Sequence, residues 1–199
     1  MMNNSFLNIY ISKVPNAPIG EVLNKERNNE ILNIKNEQSK KEKYFIWKLF
    51  EKALKELDIN INSLTFKKNQ NGKLFTDGFY FSFSHSSGYL AIAISSNNVG
   101  VDIQTKKELR SSLVKKILNE KEYQEYLNSD EKIDYLFTKW TQKEAIFKYK
   151  GDAYSFIPCS IDTLSFDKIL FSKNTNDLFI SVASELKITS FKEISLENA

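Results

Sequence analysis

Two carboxylates stand where solvated acids are uncommon. Glu144 lies in Phe137-Thr138-Lys139-Trp140-Thr141-Gln142-Lys143-Glu144-Ala145-Ile146-Phe147-Lys148. At ~100° per residue a helix here sets Ile133, Leu136, Phe137, Trp140 and Phe147 on one arc, with Glu144 and Lys148 at its edge. A charge held against Trp and Phe needs a partner, either a cation or a metal. Lys148, one turn on, is a candidate; a half-exposed Glu to Lys helix pair is the plainer alternative. The second acid, Asp102, interrupts the apolar run Val99-Gly100-Val101-Asp102-Ile103-Gln104. In a strand Asp102 and Gln104 share one face, while Val101 and Ile103 enter the opposite layer. A sheet-buried Asp implies a metal or a basic partner, unless it merely caps a turn.

Further groups suit an anion. Phe79-Tyr80-Phe81-Ser82-Phe83-Ser84 alternates as a strand and runs into His85-Ser86-Ser87-Gly88, a tight polar loop, before the return strand Tyr89–Ile94. Ser84 and His85 are thus presented at a strand end, and small neighbours leave amides and hydroxyls accessible to phosphate. A lone His is otherwise an ordinary hydrogen-bonding residue, and with one His and one Cys in the chain a zinc site is excluded. Lys40, Lys41 and Lys43 open a predicted helix over 39–57 whose apolar face is Tyr44, Trp47, Leu49, Phe50, Leu54 and Leu57. Cations at a helix start oppose the macrodipole, so they suit a bound anion or else form a solvated face. Asn69-Gln70-Asn71-Gly72 is a turn that projects Lys73.

The elements that must hold these groups follow from pattern. Phe6–Ile11 is a strand closed by Pro15 and Pro18; 19–33 is weakly helical; Leu64–Phe66 is a short strand. Leu109–Leu118 and Glu120–Asn128 are short helices, the long helix runs over 132–149, and Gly151 ends it. Ser160–Phe166, Ile169–Ser172, Leu178–Ala183 and Leu186–Phe191 are strands. The order strand, helices, strands occurs twice, so the chain divides into halves 1–98 and 99–199, a pseudo-repeat of α+β class. No P-loop or dinucleotide glycine pattern is present.

Composition narrows the class of partner. The net charge is +3, split as +4 over 1–98 (13 basic, 9 acidic) and −1 over 99–199 (15 basic, 16 acidic), which suits an anionic ligand between the halves. A nucleic-acid role for Lys40, Lys41, Lys43, Tyr44 and Trp47 is weakened by that low charge and by those aromatics belonging to an apolar helix face. Cys159 is the only cysteine, so no intrachain disulfide forms. The first ten residues carry neither a basic nor an apolar leader pattern, and no stretch is long and apolar enough to span a membrane. The expectation is a cytoplasmic protein without membrane or nucleic-acid partners.

The ordered set Gly72-Lys73, Phe83-Ser84-His85-Ser86, Val99-Gly100-Val101-Asp102 and Trp140-Thr141-Gln142-Lys143-Glu144-Ala145-Ile146-Phe147-Lys148 resembles the Sfp-type 4′-phosphopantetheinyl transferase family, over about residues 20–160. The resemblance implies two similar α+β halves about a pseudo-twofold, with coenzyme A in the cleft. It implies Mg²⁺-dependent transfer of the 4′-phosphopantetheine arm to a serine of an apo acyl or peptidyl carrier protein. A chain containing both halves is expected to complete the site as a monomer. On this resemblance Asp102, Gln104 and Glu144 would face Mg²⁺ and Glu144 would act as base. Lys148 would contact phosphate, and Ser84, His85 and Lys73, with Lys40 and Lys43, would hold the nucleotide and its phosphates. Two positions depart from the family pattern: Gln104 replaces an acid, and Leu74 replaces the proline after Gly72-Lys73. The alternative is a homologue that binds coenzyme A or a carrier without catalysis.

Overall fold

A computed structural model describes residues 5–70, 72–108, 111–151, 155–175 and 177–197. The expected helix start at Leu109 and the turn residue Asn71 lie outside them. In chain order the elements are β1 (Leu7–Lys13), α1 (Lys25–Leu32), α2 (Glu37–Glu56), β2 (Phe66–Lys68), β3 (Leu74–Thr76), β4 (Tyr80–Ser86) and β5 (Tyr89–Ser95). They continue with β6 (Val99–Thr105), α3 (Val114–Ile117), α4 (Glu120–Asn128), α5 (Lys132–Lys150), β7 (Ile169–Asn174), β8 (Leu178–Ser184) and β9 (Ser190–Glu193). The class is α+β, as expected.

Two sheets share one topology. β1, β5 and β4 lie in the order β4-β5-β1, and β7, β8 and β6 in the order β6-β8-β7, so each sheet has an opening strand, a helical segment and a hairpin whose second strand sits in the middle. All those pairs are antiparallel. β9 then returns to pair in parallel with β1, so the last strand of the chain extends the first sheet.

Period-2 alternation explains how the sheets stack. On β5, Leu90, Ile92 and Ile94 pack under α2 with Phe45, Trp47, Phe50 and Leu54. The intervening Ala91 and Ala93 face Val99, Val101 and Ile103 of β6, with Leu7, Ile9, Ile180 and Val182 closing the second core. Small residues at Ala91 and Ala93 let β6 come close. The other face of β6 meets α5, and Gly100 is the point of closest approach. A Cβ there would lie 2.0 Å from the Ala145 carbonyl oxygen and 2.4 Å from the Tyr149 nitrogen.

The helix ends follow their caps. The Asn36 side chain accepts the Ser39 N–H at 2.8 Å, which starts α2 two residues before the expected position. Gly151, at φ 66°, ends α5 in the left-handed conformation. Several expectations need correction, among them the strand starts at Leu64 and Leu186, where the structure has β2 beginning at Phe66 and β9 at Ser190. Ile133 is 52% exposed; the buried side of α5 is Leu136, Phe137, Lys139, Thr141, Lys143, Ala145 and Ile146, because a carboxylate across the helix pair neutralises Lys143 and admits it to the interior. The segment 160–166 is not a strand: the Asp162 carboxylate accepts the Leu164 N–H at 3.0 Å and Ser165 bonds back to the Asp162 carbonyl, local turns that compete with a ladder. His85 and Ser86 continue β4, and the tight turn is Ser87-Gly88 alone, with φ 45° and 82°.

Candidate functional site

The face of β6 that carries Asp102 opens onto α5. With Gly100 against the α5 backbone, Asp102, two residues on, comes opposite Lys148, and the Lys148 Nζ donates to Asp102 Oδ1 at 2.7 Å and to the Val101 carbonyl at 3.1 Å. Asp102 is 2% exposed. Its Oδ1 also accepts the Ser84 hydroxyl at 2.7 Å, and Oδ2 accepts the Gln104 amide at 3.2 Å. The ion pair of Lys148 therefore runs across the sheet to helix contact to Asp102, rather than along the helix to Glu144, the other candidate partner read from the sequence. A basic partner for Asp102, the requirement read from the sequence, is present.

Glu144 lies half-buried one turn before Lys148. Burial raises its pKa above the usual carboxylate range, and the Asp102 charge raises it further; Lys148 and a side-chain hydrogen bond from Trp140 oppose the shift. Two acids that repel one another beside Lys148 are an oxygen-rich sink for positive charge. Among the described residues no group of three His, Cys, Asp or Glu could hold a metal. The donors available are the Asp102 and Glu144 carboxylates with the Gln104 amide, which at present turns its nitrogen to Asp102. An all-oxygen set of two carboxylates suits a hard divalent cation that keeps water or substrate oxygens in its remaining positions. The residues present fit Mg²⁺.

A cavity of about 340 Å³ adjoins this cluster, lined by Gly72, Lys73, Leu74, Phe81, Ser82, Phe83, Phe147, Lys148 and Gly151. Aromatic walls with lysines beside them suit a flat, anionic ligand. Lys73 forms part of the wall, but its ammonium is engaged: it donates to Asn98 Oδ1 at 3.1 Å and to the carbonyls of Val99 at 3.3 Å and Lys148 at 2.6 Å. It thereby caps the C-terminal end of α5, where the helix dipole favours a cation. Burial still pulls its pKa down to about 8. The turn that carries it is built by Asn69, whose side chain accepts the Lys73 N–H at 2.9 Å, and by Gly72 at φ 78°.

The remaining predicted residues form a second group at the β4 and α2 side. His85 is half-exposed, with its Nδ1 3.0 Å from the Glu42 carboxylate on α2. Lys40 is paired with Glu37 at 2.9 Å. Lys43 makes no ion pair with any described residue. Burial depresses its pKa, as do the charges of Arg27 and Lys68, while Glu30 alone opposes them. The structure thus gathers Ser84, Asp102, Gln104, Glu144 and Lys148 into one cluster with Lys73 at its rim, and sets His85, Lys40 and Lys43 apart from it.

Three features escaped the sequence. Glu42 beside His85 is a contact between residues more than forty positions apart in the chain. Lys143 and Glu122 form a fully buried pair at 2.5 Å, with the Asn119 N–H and the Thr163 hydroxyl also on Glu122 and the Pro158 carbonyl on Lys143; only a cation inside an otherwise buried helix face hinted at it. The serines at 82, 84 and 86 share one face of β4, a period-2 pattern visible in the sequence, and all three bond to β6.

Comparison with known proteins places the chain among relatives. The profile of the 4′-phosphopantetheinyl transferase superfamily matches residues 98–193, which hold Asp102, Gln104, Glu144 and Lys148. The chain is 30% identical over 128 residues to 4′-phosphopantetheinyl transferase gsp of Aneurinibacillus migulanus, covering 61% of this chain and 53% of that protein. It is 31% identical over 78 residues to 4′-phosphopantetheinyl transferase Sfp of Bacillus subtilis, covering 38% and 35% respectively. A holo-[acyl-carrier-protein] synthase of Mycoplasma mycoides is 30% identical over 95 residues, 46% of this chain and 86% of that protein. The matched region spans about half the length of the first of these relatives and about a third of the second.

Proposed function

The chain belongs to the 4′-phosphopantetheinyl transferase superfamily, and from that premise we propose that it transfers the 4′-phosphopantetheine arm of coenzyme A to a serine hydroxyl of an apo acyl or peptidyl carrier protein, with release of 3′,5′-ADP. The observation that carries the proposal is the convergence of Asp102, Glu144 and Lys148 across the β6 to α5 contact, beside a cavity walled by Phe83 and Phe147.

Each part of the reaction has a residue to support it. The bond that forms joins the carrier serine oxygen to the phosphorus bearing the pantetheine arm, and the bond that breaks joins that phosphorus to the oxygen bridging the two phosphates. Both phosphates are anionic, so charge must be neutralised before a nucleophile approaches. Asp102 and Glu144, with the Gln104 amide oxygen or a water, would hold Mg²⁺, which when bound supplies that neutralisation. Lys148 would then exchange its contact with Asp102 for a phosphate oxygen. Glu144 takes the serine proton, directly or through a water; its raised pKa, caused by burial and by the Asp102 charge, makes it a better base than an ordinary carboxylate. Lys43, crowded by Arg27 and Lys68 and lacking an ion-pair partner among the described residues, favours an added anion. His85, Lys40 and Lys73 are the other proposed coenzyme A contacts. Ser84 we keep on the acid cluster, to which its hydroxyl is bonded.

A chain carrying the site within itself is proposed to work as a monomer, with its two halves, 1–98 and 99–199, related by a pseudo-twofold. The two matching strand orders support that division. No helix among the described residues is long and apolar enough to cross a membrane; the cytoplasm is the proposed location. Incubation with coenzyme A, Mg²⁺ and an apo carrier protein should add one phosphopantetheine to the carrier, read by intact-mass spectrometry. Coenzyme A binding without any transfer would support the non-catalytic homologue instead.

A further inference from the structure

β6 is an edge strand with an unusual neighbour. On one side it pairs with β8. On the other its amides meet no backbone carbonyl: the N–H groups of Val101, Ile103 and Thr105 donate to the hydroxyls of Ser82, Ser84 and Ser86 of β4, at 3.1, 3.2 and 3.2 Å. Three serines at alternate positions thus replace a strand and join the two sheets at the level of the acid cluster.

A serine hydroxyl has one proton to give, and the three give theirs differently. Ser84, 5% exposed, donates to Asp102 Oδ1 at 2.7 Å while accepting the amide of the very next residue, Ile103. Ser86 leans on the Gln104 amide oxygen at 3.4 Å. Backbone and carboxylate are therefore gripped by the same oxygen, which fixes both the position of β6 and the rotation of the Asp102 side chain. With Ser84 and Lys148 on Oδ1, the other oxygen, Oδ2, has among the described residues the Gln104 amide as its hydrogen-bond donor.

We infer that Ser84 is a positioning residue that orients Asp102 for a divalent cation, rather than a contact to the nucleotide. The inference rests on the transferase reading above for the presence of cation and coenzyme A. A partner that orients a metal-ligating carboxylate is typically worth roughly 10- to 100-fold in metal affinity. The hydroxyl of Ser84 is buried and satisfied in both directions, so little of it is offered to a ligand.

The test uses the full chain, Mn²⁺ as a spectroscopic probe and coenzyme A. Ser84→Ala should weaken Mn²⁺ binding, read by electron paramagnetic resonance at saturating coenzyme A, by roughly tenfold or more, while coenzyme A affinity measured without metal changes by less than about twofold. Ser84→Thr, which keeps the hydroxyl, should restore Mn²⁺ affinity. Should Ser84→Ala not fold, Ser84→Cys, of similar volume with a weak donor, carries the same expectation. A loss of coenzyme A affinity with unchanged Mn²⁺ binding would overturn the inference and make Ser84 a nucleotide contact; so would a folded Ser84→Thr with the alanine defect. A wild-type protein that binds neither Mn²⁺ nor coenzyme A would refute the transferase reading itself, an outcome distinct from either.

Discussion

Gly100→Ala should separate the two walls of the site. The added Cβ would stand 2.0 Å from the Ala145 carbonyl oxygen and 2.4 Å from the Tyr149 amide nitrogen, both backbone atoms that no rotamer change can remove. Ordinary contact begins at 3.4 Å, so β6 and α5 must part by about 1.4 Å. Overpacking of this kind costs about 1–3 kcal/mol, and with backbone on both sides the upper end applies. The catalytic consequence is of comparable size to the stability loss. The Lys148 to Asp102 contact, 2.7 Å in the native protein, would lengthen to roughly 4 Å, beyond a hydrogen bond, and Glu144 on the same helix would retreat with it. Misplacement by about 1 Å costs on the order of 100-fold in rate. Urea unfolding gives the stability, and a carrier-modification assay under saturating coenzyme A gives the rate. A Gly100→Ala protein with native stability and native turnover would refute the claim that close packing of β6 on α5 assembles the site.

The other predictions concern charge. Removing one member of the buried Lys143 to Glu122 pair, as Lys143→Met or Glu122→Leu, should cost about 3–5 kcal/mol because an unpaired charge or its neighbours remain inside, whereas the double variant should cost less than the sum; a urea double-mutant cycle measures this, and additive losses would contradict it. Lys73 gives a pH signature. Its folded pKa of about 8 lies below the ordinary 10.5, so between those values the unfolded chain holds more protons and stability rises with pH. The rise relative to a Lys73→Met variant has an upper limit of about 3 kcal/mol, at about 1.4 kcal/mol per pH unit, reduced by the three acceptors that favour the ammonium; a flat or falling difference over pH 8 to 10.5 would contradict it. Glu144→Gln should abolish carrier modification while coenzyme A affinity, read by calorimetry, stays within a few-fold of native; unimpaired turnover would remove Glu144 from its role as base.

Local signals carried the parts of the site that depend on one element. Asp102 was legible because an acid in an apolar strand must find a cation, and Lys148 supplied it. The end of α5 was legible from Gly151, and the start of α2 nearly so. What the sequence concealed depends on pairs remote in the chain. The burial of Lys143 was hidden because its partner, Glu122, lies 21 positions earlier on α4. Ile133 looked buried because the arc was drawn from apolarity alone, while the interior admitted a neutralised lysine. The 160–166 segment carried strand-like residues, yet Asp162 and Ser165 satisfied the backbone locally. The Lys73 ammonium rests on the carbonyl end of α5, a contact set by how β3 and α5 meet.

The most direct measurement is a crystal structure with Mn²⁺ and coenzyme A, read by anomalous scattering. The account predicts one cation peak between the Asp102 and Glu144 carboxylates, in contact with a phosphate oxygen, with Lys148 moved from Asp102 onto phosphate. Coenzyme A bound with no cation at those carboxylates, and Lys148 still on Asp102, would contradict it.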